Sequence, residues 1–378
     1  MGVENQNLNK DTVKATEVGI EAAVSAIIVR TNEQGEEEFF IARRNNPNEA
    51  GYGCYAFLGC SVTPQVSFEY ELLHMIYDQT GEVIQVNNET KVYPQNMFEC
   101  LSSPIKHYMH HGFVVKWEGD LQIKDDSKYT DGKWVKASEM EKYLHEGFIT
   151  LIAHYLNYSN GVKHDERVNY NYADYSGSLC AQFLHYREQK YDYTDQNLAA
   201  GAPRTDKQGF TVAVNAILVR QGEEEEEYCF DYRIAPEKAG YQMYALFGGT
   251  LTFGKGMKQE LAREMKEELN IDVDTKNMEL DNLFRCAPKP TRDFIHYAFL
   301  IRDWKGEMQN MEPTKSGGPH WFKKSELETL KDKFFITWGH LVNMQNDDFY
   351  SNEFNIMCNP INLTAEIEKL EALNKSKQ

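Results

Sequence analysis

The chain contains the same sequence pattern twice. Residues 22–30 (AAVSAIIVR) align with residues 212–220 (VAVNAILVR), and residues 50–63 (AGYGCYAFLGCSVT) align with residues 239–252 (AGYQMYALFGGTLT). Each copy therefore predicts the same succession of a buried strand, a turn, further strands and a helix. Because one hydrophobic core seldom serves more than about 250 to 300 residues, we expect two domains in a chain of 378 residues.

The repeat sets the expected domain bounds. We expect the first copy to span 17–156 and the second to span 210–343. Between them, 157–209 forms a connector rich in Tyr, Asn, Asp and Gly, and 344–378 forms a C-terminal extension. The extension contains a predicted amphipathic helix whose apolar side is formed by Leu363, Ile367, Leu370 and Leu373. We expect this helix to dock on its own chain, and binding to a partner protein is the alternative.

The strongest helix prediction covers residues 257–269 of the second copy. This segment has no Pro or Gly and consists mainly of strong helix formers. At about 100° per residue, one side of the helix carries Glu260, Glu264, Glu267 and Glu268. Like charges at this spacing repel, and a hard cation such as Mg²⁺ would relieve the repulsion. A solvated acidic face without a metal is the alternative.

The loop before this helix is rich in glycine, which allows the backbone close to a ligand. Loop and helix together resemble the Nudix box, whose pattern is Gly, five residues, Glu, seven residues, Arg-Glu, an apolar residue, any residue, Glu-Glu, any residue, Gly and an apolar residue. The positions in register are Gly249, Arg263, Glu264, Met265, Glu267, Glu268 and Ile271. Two positions depart, because Lys255 replaces the first Glu and Asn270 replaces the last Gly.

The resemblance implies a tandem Nudix-domain protein of the α/β class, with two α/β/α sandwiches and mixed β-sheets. It implies hydrolysis of a nucleoside diphosphate linked to another moiety, with Mg²⁺ or Mn²⁺ as the cofactor. The implied metal ligands are the carbonyl of Gly248 and the side chains of Glu264, Glu267 and Glu268. The implied catalytic residues are Glu264, Glu267 and Arg263. Glu264 or a neighbour would orient the attacking water, and Arg263 would steer a carboxylate.

The first copy has lost most of these residues. His74, Met75, Asp78 and Gln79 stand at the places of the Arg and the three Glu of the second copy, so one carboxylate of three remains. Gly81 stands where the family has its terminal Gly. We therefore expect the first copy to keep the fold and to lack a metal site.

The two departures leave a second function open. Lys255 is expected to face Arg263 as a like charge, which would loosen the ligand set. Asn270 is expected to end the helix in the left-handed conformation, which Asn tolerates. The alternative to the enzyme is a non-catalytic Nudix-fold structural subunit of a larger protein assembly, with mitochondria as one candidate location.

Composition limits the classes of molecule that the protein is expected to bind. A formal charge of −18 argues against binding of long nucleic acid, whereas a nucleotide-type small molecule bridged by a metal is compatible with it. No run of apolar residues is long enough to span a membrane. The seven cysteines include no Cys-x-x-Cys, so we expect neither a disulfide framework nor a zinc site. We expect the protein to be located in the cytoplasm or another reducing compartment. Partner proteins in a larger assembly stay open.

Further candidates lie outside the box. Basic residues near strand ends of the second copy are candidates to meet phosphates: Arg233, Arg285, Lys289 and Arg292. Glu312 precedes a predicted strand and is a candidate outlying ligand or base. Each of these residues alone is a weak signal.

Overall fold

The computed structural model describes residues 20–64, 66–84, 92, 94–103, 106–163, 209–289, 292–346 and 372. The chain divides into two compact units. Within the described residues, each unit contains one seven-stranded β-sheet. Each of the two sequence copies therefore forms a sheet of its own.

The first unit has seven strands and three α-helices among its described residues. In chain order these are β1 (Ile20–Thr31), β2 (Glu37–Arg44), β3 (Tyr55–Ala56), β4 (Leu58–Ser61), α1 (Phe68–Thr80), β5 (Pro94–Ser103), β6 (Lys106–Lys116), β7 (Tyr129–Lys136), α2 (Met140–Leu144) and α3 (Ile149–Ser159). The sheet order is β3-β2-β1-β6-β5, with β4 paired to β1 and β7 paired to β2. β1 and β6 are parallel, and the other pairs are antiparallel.

The second unit repeats this arrangement. Its elements are β8 (Thr211–Gln221), β9 (Glu226–Arg233), β10 (Tyr244–Ala245), β11 (Phe247–Thr250), α4 (Met257–Leu269), β12 (Met278–Lys289), β13 (Arg292–Ile301), β14 (Ser316–Lys323), α5 (Lys324–Leu330) and α6 (Trp338–Gln345). The sheet order is β10-β9-β8-β13-β12, with β11 on β8 and β14 on β9, and β8 and β13 are parallel. The predicted α/β class with mixed sheets is confirmed for both copies.

Helices cover both faces of the second sheet. On one face, α4 lies against β8 and β11 and buries Leu261, Met265 and Leu269 completely. On the other face, Trp338 and Leu341 of α6 share one core cluster with Ile217 and Val219 of β8. A central strand covered on both sides needs apolar residues at nearly every position, which explains the almost continuous apolar run of β8.

The first sheet is covered in the same way. Phe68 of α1 packs on His111 of β6, with ring centroids 4.6 Å apart. His154 of α3 packs on Phe98 of β5, which stacks on His110 of β6. Because neighbouring residues of a strand point to opposite faces, His110 and His111 place α3 and α1 on opposite sides of the sheet. The predicted three-layer sandwich is therefore present in each unit.

A buried pair of histidine and asparagine occurs in both units. In the second unit, Nδ1 of His340 lies 2.7 Å from Oδ1 of Asn282, and Nδ2 of Asn215 lies 3.3 Å from Nε2 of His340. In the first unit, Nδ1 of His154 lies 2.7 Å from Oδ1 of Asn96. Burial holds the pKa of both histidines well below the usual value, so both rings are neutral. These bonds join helix to sheet in each unit, and the sequence analysis did not predict them.

The ends of the two equivalent helices differ in residue but not in conformation. Asn270 ends α4 with φ 56° and ψ 24°, and its N–H is bonded to carbonyls of the last helical turn. Gly81 ends α1 with φ 69° and ψ 9°. The prediction that Asn270 stops the helix in the left-handed conformation is confirmed.

Some predictions fall on residues that are not described. Apart from Ala372, which is helical, the predicted helix of the C-terminal extension lies outside the described residues, and so does most of the predicted connector. All helices in the described part of the chain are too short or too polar to span a bilayer.

Cys100 is disulfide-bonded, a bond that the scattered cysteine pattern did not predict, whereas Cys54 and Cys229 are thiols. The expected reducing compartment stays a prediction.

Candidate functional site

Two glycines bring the backbone of β11 against its neighbours. Gly248 lies opposite Asn215 of β8 and has φ +141°, a conformation that favours glycine. A Cβ on Gly248 would lie 2.0 Å from the carbonyl oxygen of Val214. A Cβ on Gly249 would lie 2.2 Å from Oε1 of Glu264. Only glycine fits at position 248, because the clash there is with backbone atoms, whereas the space beside Gly249 is taken by the carboxylate of Glu264 on α4.

Two of the predicted ligands converge on this glycine pair. The side chain of Glu264 is 14% exposed and lies over Gly249. One turn further along α4, Oε2 of Glu268 accepts the N–H of Gly248 at 3.1 Å. Glu267, the third predicted ligand, is 57% exposed and is paired with Arg263 instead. The structure therefore brings together Gly248, Glu264 and Glu268 and leaves Glu267 at the rim.

Burial and repulsion make the two inner carboxylates unusual acids. Burial raises the pKa of Glu268 to about 8, and the charges of Glu264, Asp231 and Glu312 act in the same direction. The N–H of Gly248 opposes this effect, because it donates a hydrogen bond to the carboxylate. Burial also raises the pKa of Glu264, while the guanidinium of Arg263 lowers it. Negative charge is thus costly at this position unless a cation accompanies it.

Arg263 lies among the acids of its own helix. Its Nη1 lies 2.5 Å from Oε2 of Glu267, and its Nη2 contacts Glu264. On the other side, Nη2 and Nε donate to Oε1 of Glu260 at 2.8 and 3.3 Å. Arg263 therefore contacts carboxylates, the role that the resemblance implies for it.

Lys255 does not face Arg263, so this expectation was wrong. Lys255 is exposed, in a turn in which its N–H is bonded to the carbonyl of Thr252 at 3.0 Å. The place beside Arg263 is taken by Glu260, whose side chain is 3% exposed. The reason is physical: a lysine can extend into water at little cost, whereas a buried carboxylate requires a charged or hydrogen-bonding partner.

The sequence analysis missed Asp231. This residue lies on β9 between Phe230 and Tyr232, and its carboxylate accepts a hydrogen bond from the hydroxyl of Ser316. Burial raises its pKa, and Glu312 adds to the rise. Its charge also acts on Glu268. A single acid inside an aromatic strand was the signal that could have identified it.

The candidates outside the box have mixed outcomes. The negative charge of Glu312 helps to raise the pKa of Glu268. Oε1 of Glu312 is paired with Nζ of Lys315 at 2.5 Å. Arg285 is fully buried in an ion pair with Asp293, so its proposed contact with a phosphate was wrong. Arg233 lies over the ring of Phe335, with 5.2 Å from its guanidinium carbon to the ring centroid. The side chains of Lys289 and Arg292 lie outside the described part.

The first copy has different residues at the equivalent place. Met75 and Gln79 are buried, at 5% and 2% exposure, and Asp78 is exposed. His74 packs against Tyr70, with ring centroids 4.1 Å apart and the ring planes tilted by 34°. Among the described residues, no pair of acids converges on Gly59 and Cys60 in the way that Glu268 and Glu264 converge on Gly248 and Gly249.

The donor atoms at this site are of the kind that bind a divalent cation, but their present arrangement is not a complete ligand set. Over the described ranges, no three His, Cys, Asp or Glu side chains are grouped as a metal site. The donors that do converge are carboxylate and backbone oxygens, the ligands of Mg²⁺ and Mn²⁺. The raised pKa of Glu268 indicates a partly buried position at which a cation would stabilise negative charge. The donor set thus fits the ion, and Glu267 would have to leave Arg263 to join it.

No family model matches the chain. A MutT Nudix hydrolase from Burkholderia pseudomallei is 23% identical, with 30% of this chain and 82% of that chain covered and a TM-score of 0.26. A mutator MutT protein from Bacillus halodurans is 19% identical, with 37% and 87% covered and a TM-score of 0.30. Parts of this chain resemble Nudix and MutT proteins. The NUDIX domain of Shewanella oneidensis NrtR, solved with ADP ribose, is 15% identical, with 42% and 97% covered and a TM-score of 0.33.

Proposed function

We propose that the chain is a Nudix-type hydrolase that cleaves a nucleoside diphosphate linked to another moiety with Mg²⁺ or Mn²⁺. The observation that carries this proposal is the convergence of Glu264 and Glu268 on the pair Gly248 and Gly249. Two partly buried carboxylates that repel each other destabilise the metal-free protein. Such an arrangement is understandable if a divalent cation binds there.

Each residue of the site has a proposed role. Glu264, Glu267, Glu268 and the carbonyl of Gly248 would hold the cation, which when bound would polarise a phosphate and lower the pKa of water. Glu264 or a neighbouring acid would orient the attacking water, the role that the resemblance implies, and Arg263 contacts Glu264 directly. Arg263 fixes the carboxylates by direct contact, so it acts through them and does not bind substrate.

The first copy is proposed to be non-catalytic. Met75 cannot coordinate Mg²⁺, and the amide of Gln79 is a weaker ligand than a carboxylate. Asp78 is the one acid left in the equivalent set, and it is exposed. The domain bounds 17–156 and 210–343 are proposed for the two copies on the same repeat.

A second candidate function is supported by one observation. Arg263 is paired with Glu267, and no three-ligand group is formed in the part of the chain that the structure describes. A protein that uses its acids only to bind its own arginine would be a non-catalytic Nudix-fold subunit of a larger assembly, in mitochondria or another compartment.

Hydrolysis assays decide between the two. The purified full chain is incubated with Mg²⁺ or with EDTA and with ADP-ribose, dinucleoside polyphosphates, nucleoside triphosphates and capped RNA. We expect turnover of at least one substrate, lost in Glu264→Gln and in Glu268→Gln and unchanged in the first-copy control Asp78→Asn. Absence of turnover together with absence of Mg²⁺ binding at millimolar concentration would favour the scaffold. Elution far above 43.8 kDa with other chains attached would favour it as well.

A further inference from the structure

Glu260 is a buried acid that no role given above uses. Its side chain is 3% exposed, although it lies on the acidic side of α4. Its Oε1 accepts from Nη2 of Arg263 at 2.8 Å, from Nε of Arg263 at 3.3 Å and from the hydroxyl of Thr252 at 3.0 Å. A charged group buried to this degree requires charged or hydrogen-bonding partners, and Arg263 and Thr252 supply them to Oε1.

Glu260 holds one edge of the Arg263 guanidinium, and the predicted ligands contact its other atoms. Two of the three nitrogens of the guanidinium, Nε and Nη2, donate to Glu260, and this defines the plane of the group. Nη1 is then directed to Glu267, and Nη2 also contacts Glu264. The side-chain positions of both acids therefore depend on where Glu260 holds Arg263.

The loop before α4 supports Glu260 from the other side. The hydroxyl of Thr252 contacts Glu260, and the N–H of Lys255 closes the turn onto the carbonyl of Thr252. The backbone of position 255 is thus tied to Thr252, the residue that contacts Glu260, while the lysine itself is exposed. Whether a carboxylate introduced at position 255 reaches Arg263 is tested by the double variant below.

The first copy shows what this acid does without an arginine. Glu71 occupies the place of Glu260, and Thr63 occupies the place of Thr252. There Oε1 of Glu71 accepts the backbone N–H of Thr63 at 2.9 Å, and the place of Arg263 is taken by His74. The acid is kept in both copies, but only in the second copy is it used to hold a guanidinium.

We propose that Glu260 is the positioning residue that orients Arg263, and through it Glu264 and Glu267, in place of the acid that the chain lacks at position 255. Glu260, five residues later in the chain, thereby supplies Arg263 with the carboxylate partner that Lys255 cannot provide. The inference rests on the proposed hydrolase function, but the orientation of Arg263 is a property of the folded protein with or without activity.

The test compares Glu260→Gln with the double variant Lys255→Glu/Glu260→Gln in the full chain. Glutamine keeps the size of the side chain and removes its charge. We expect Glu260→Gln to lower kcat by about 10- to 100-fold and Mn²⁺ affinity by about 10-fold, the range typical of residues that orient metal ligands. Lys255→Glu should restore most of both losses. Glu328→Gln, which removes an exposed acid paired with Lys331, is the matched control and should change neither.

A third measurement does not depend on activity. The Nε–H resonance of Arg263, assigned by its loss in Arg263→Lys, should be protected from exchange in the wild type, broadened in Glu260→Gln and recovered in the double variant. If the wild type neither binds Mn²⁺ nor hydrolyses any substrate, the proposed function fails, and this resonance still tests the positioning role.

Two outcomes would overturn the inference. One is a Glu260→Gln protein with the wild-type Arg263 resonance, Mn²⁺ affinity and kcat. The other is a defect that Lys255→Glu fails to restore in any of the three measurements. If Glu260→Gln does not fold, Thr252→Val removes only the hydroxyl that holds Glu260 and should give a smaller change in the same direction. A folded Thr252→Val protein that matches the wild type would then count against the role.

Discussion

Replacing Glu268 by glutamine should stabilise the metal-free protein while removing its activity. In the folded chain the pKa of Glu268 is about 8, whereas the ordinary value is 4.5. Between these values the folded state holds a proton that the unfolded state has released. Raising the pH therefore opposes folding: the stability linked to this group is complete below pH 4.5 and is lost as the pH rises through 8.

The magnitude follows from the interval between the two pKa values. At about 1.4 kcal/mol per pH unit, an interval from 4.5 to 8 corresponds to at most ~5 kcal/mol at pH 8 and above. The side chain is only partly buried, and solvent screening reduces the effect to roughly 2–4 kcal/mol. For a unit of this size, that range corresponds to a change in Tm of roughly 6–12 °C.

Differential scanning calorimetry in EDTA at several pH values between 5 and about 8.5 measures this effect. At each pH the wild type and Glu268→Gln share the effect of the buried histidine His340, so the difference between their Tm values isolates Glu268. The Tm of the second unit in the wild type should fall relative to that of Glu268→Gln as the pH rises. Glu279→Gln, which removes an exposed acid on β12, is the control and should follow the wild type. With saturating Mg²⁺ the order should reverse, because only the wild type gains the free energy of metal binding.

One result would refute the reasoning. If Glu268→Gln and the wild type have the same Tm at every pH in EDTA, Glu268 is neither desolvated nor repelled by its neighbours. The argument that the site is built for a cation would then lose its electrostatic basis.

Three further predictions concern the fold. Asn270→Ala should destabilise the protein by about 1 kcal/mol in urea unfolding, because alanine is strained in the left-handed conformation, and Asn270→Gly should be neutral or slightly stabilising. Asn282→Ala should lower the free energy of unfolding of its unit by about 2–4 kcal/mol, since it leaves Nδ1 of the buried His340 without its acceptor. The lowered pKa of His154 and His340 means that the unfolded state takes up protons first, so stability should fall below pH ~6.5 by up to about 1.4 kcal/mol per pH unit for each histidine.

Features set by local sequence could be predicted. Residues 257–269 form the predicted helix because helix formers are uninterrupted there, and Asn270 ends it because its short amide side chain tolerates φ 56°. The central strand β8 was predictable from its apolar run. Because the two copies align, each prediction for one copy also applied to the other.

Features set by distant contacts could not be predicted. His340 and Asn282 lie 58 positions apart, and no periodicity reports that their side chains meet in the core. Asp231 joins the site from β9 only when the sheet is formed. Helical periodicity placed Glu260 on the acidic side but did not indicate that a turn would bury it, and for the same reason Lys255 was assigned the wrong neighbour.

The close fit between Gly249 and Glu264 bears on how the first copy could have diverged. Cys60 stands at the place of Gly249 and Met75 at the place of Glu264. In the second copy any side chain at position 249 would collide with the carboxylate, so a cysteine there is tolerable only once the acid has gone or moved. A side chain at position 60 and an acid at position 75 therefore restrict each other. Restoring the acid by Met75→Glu alone would bring its carboxylate against the Cys60 side chain, so the acid would need a different side-chain rotamer from that of Glu264, or position 60 would have to change as well.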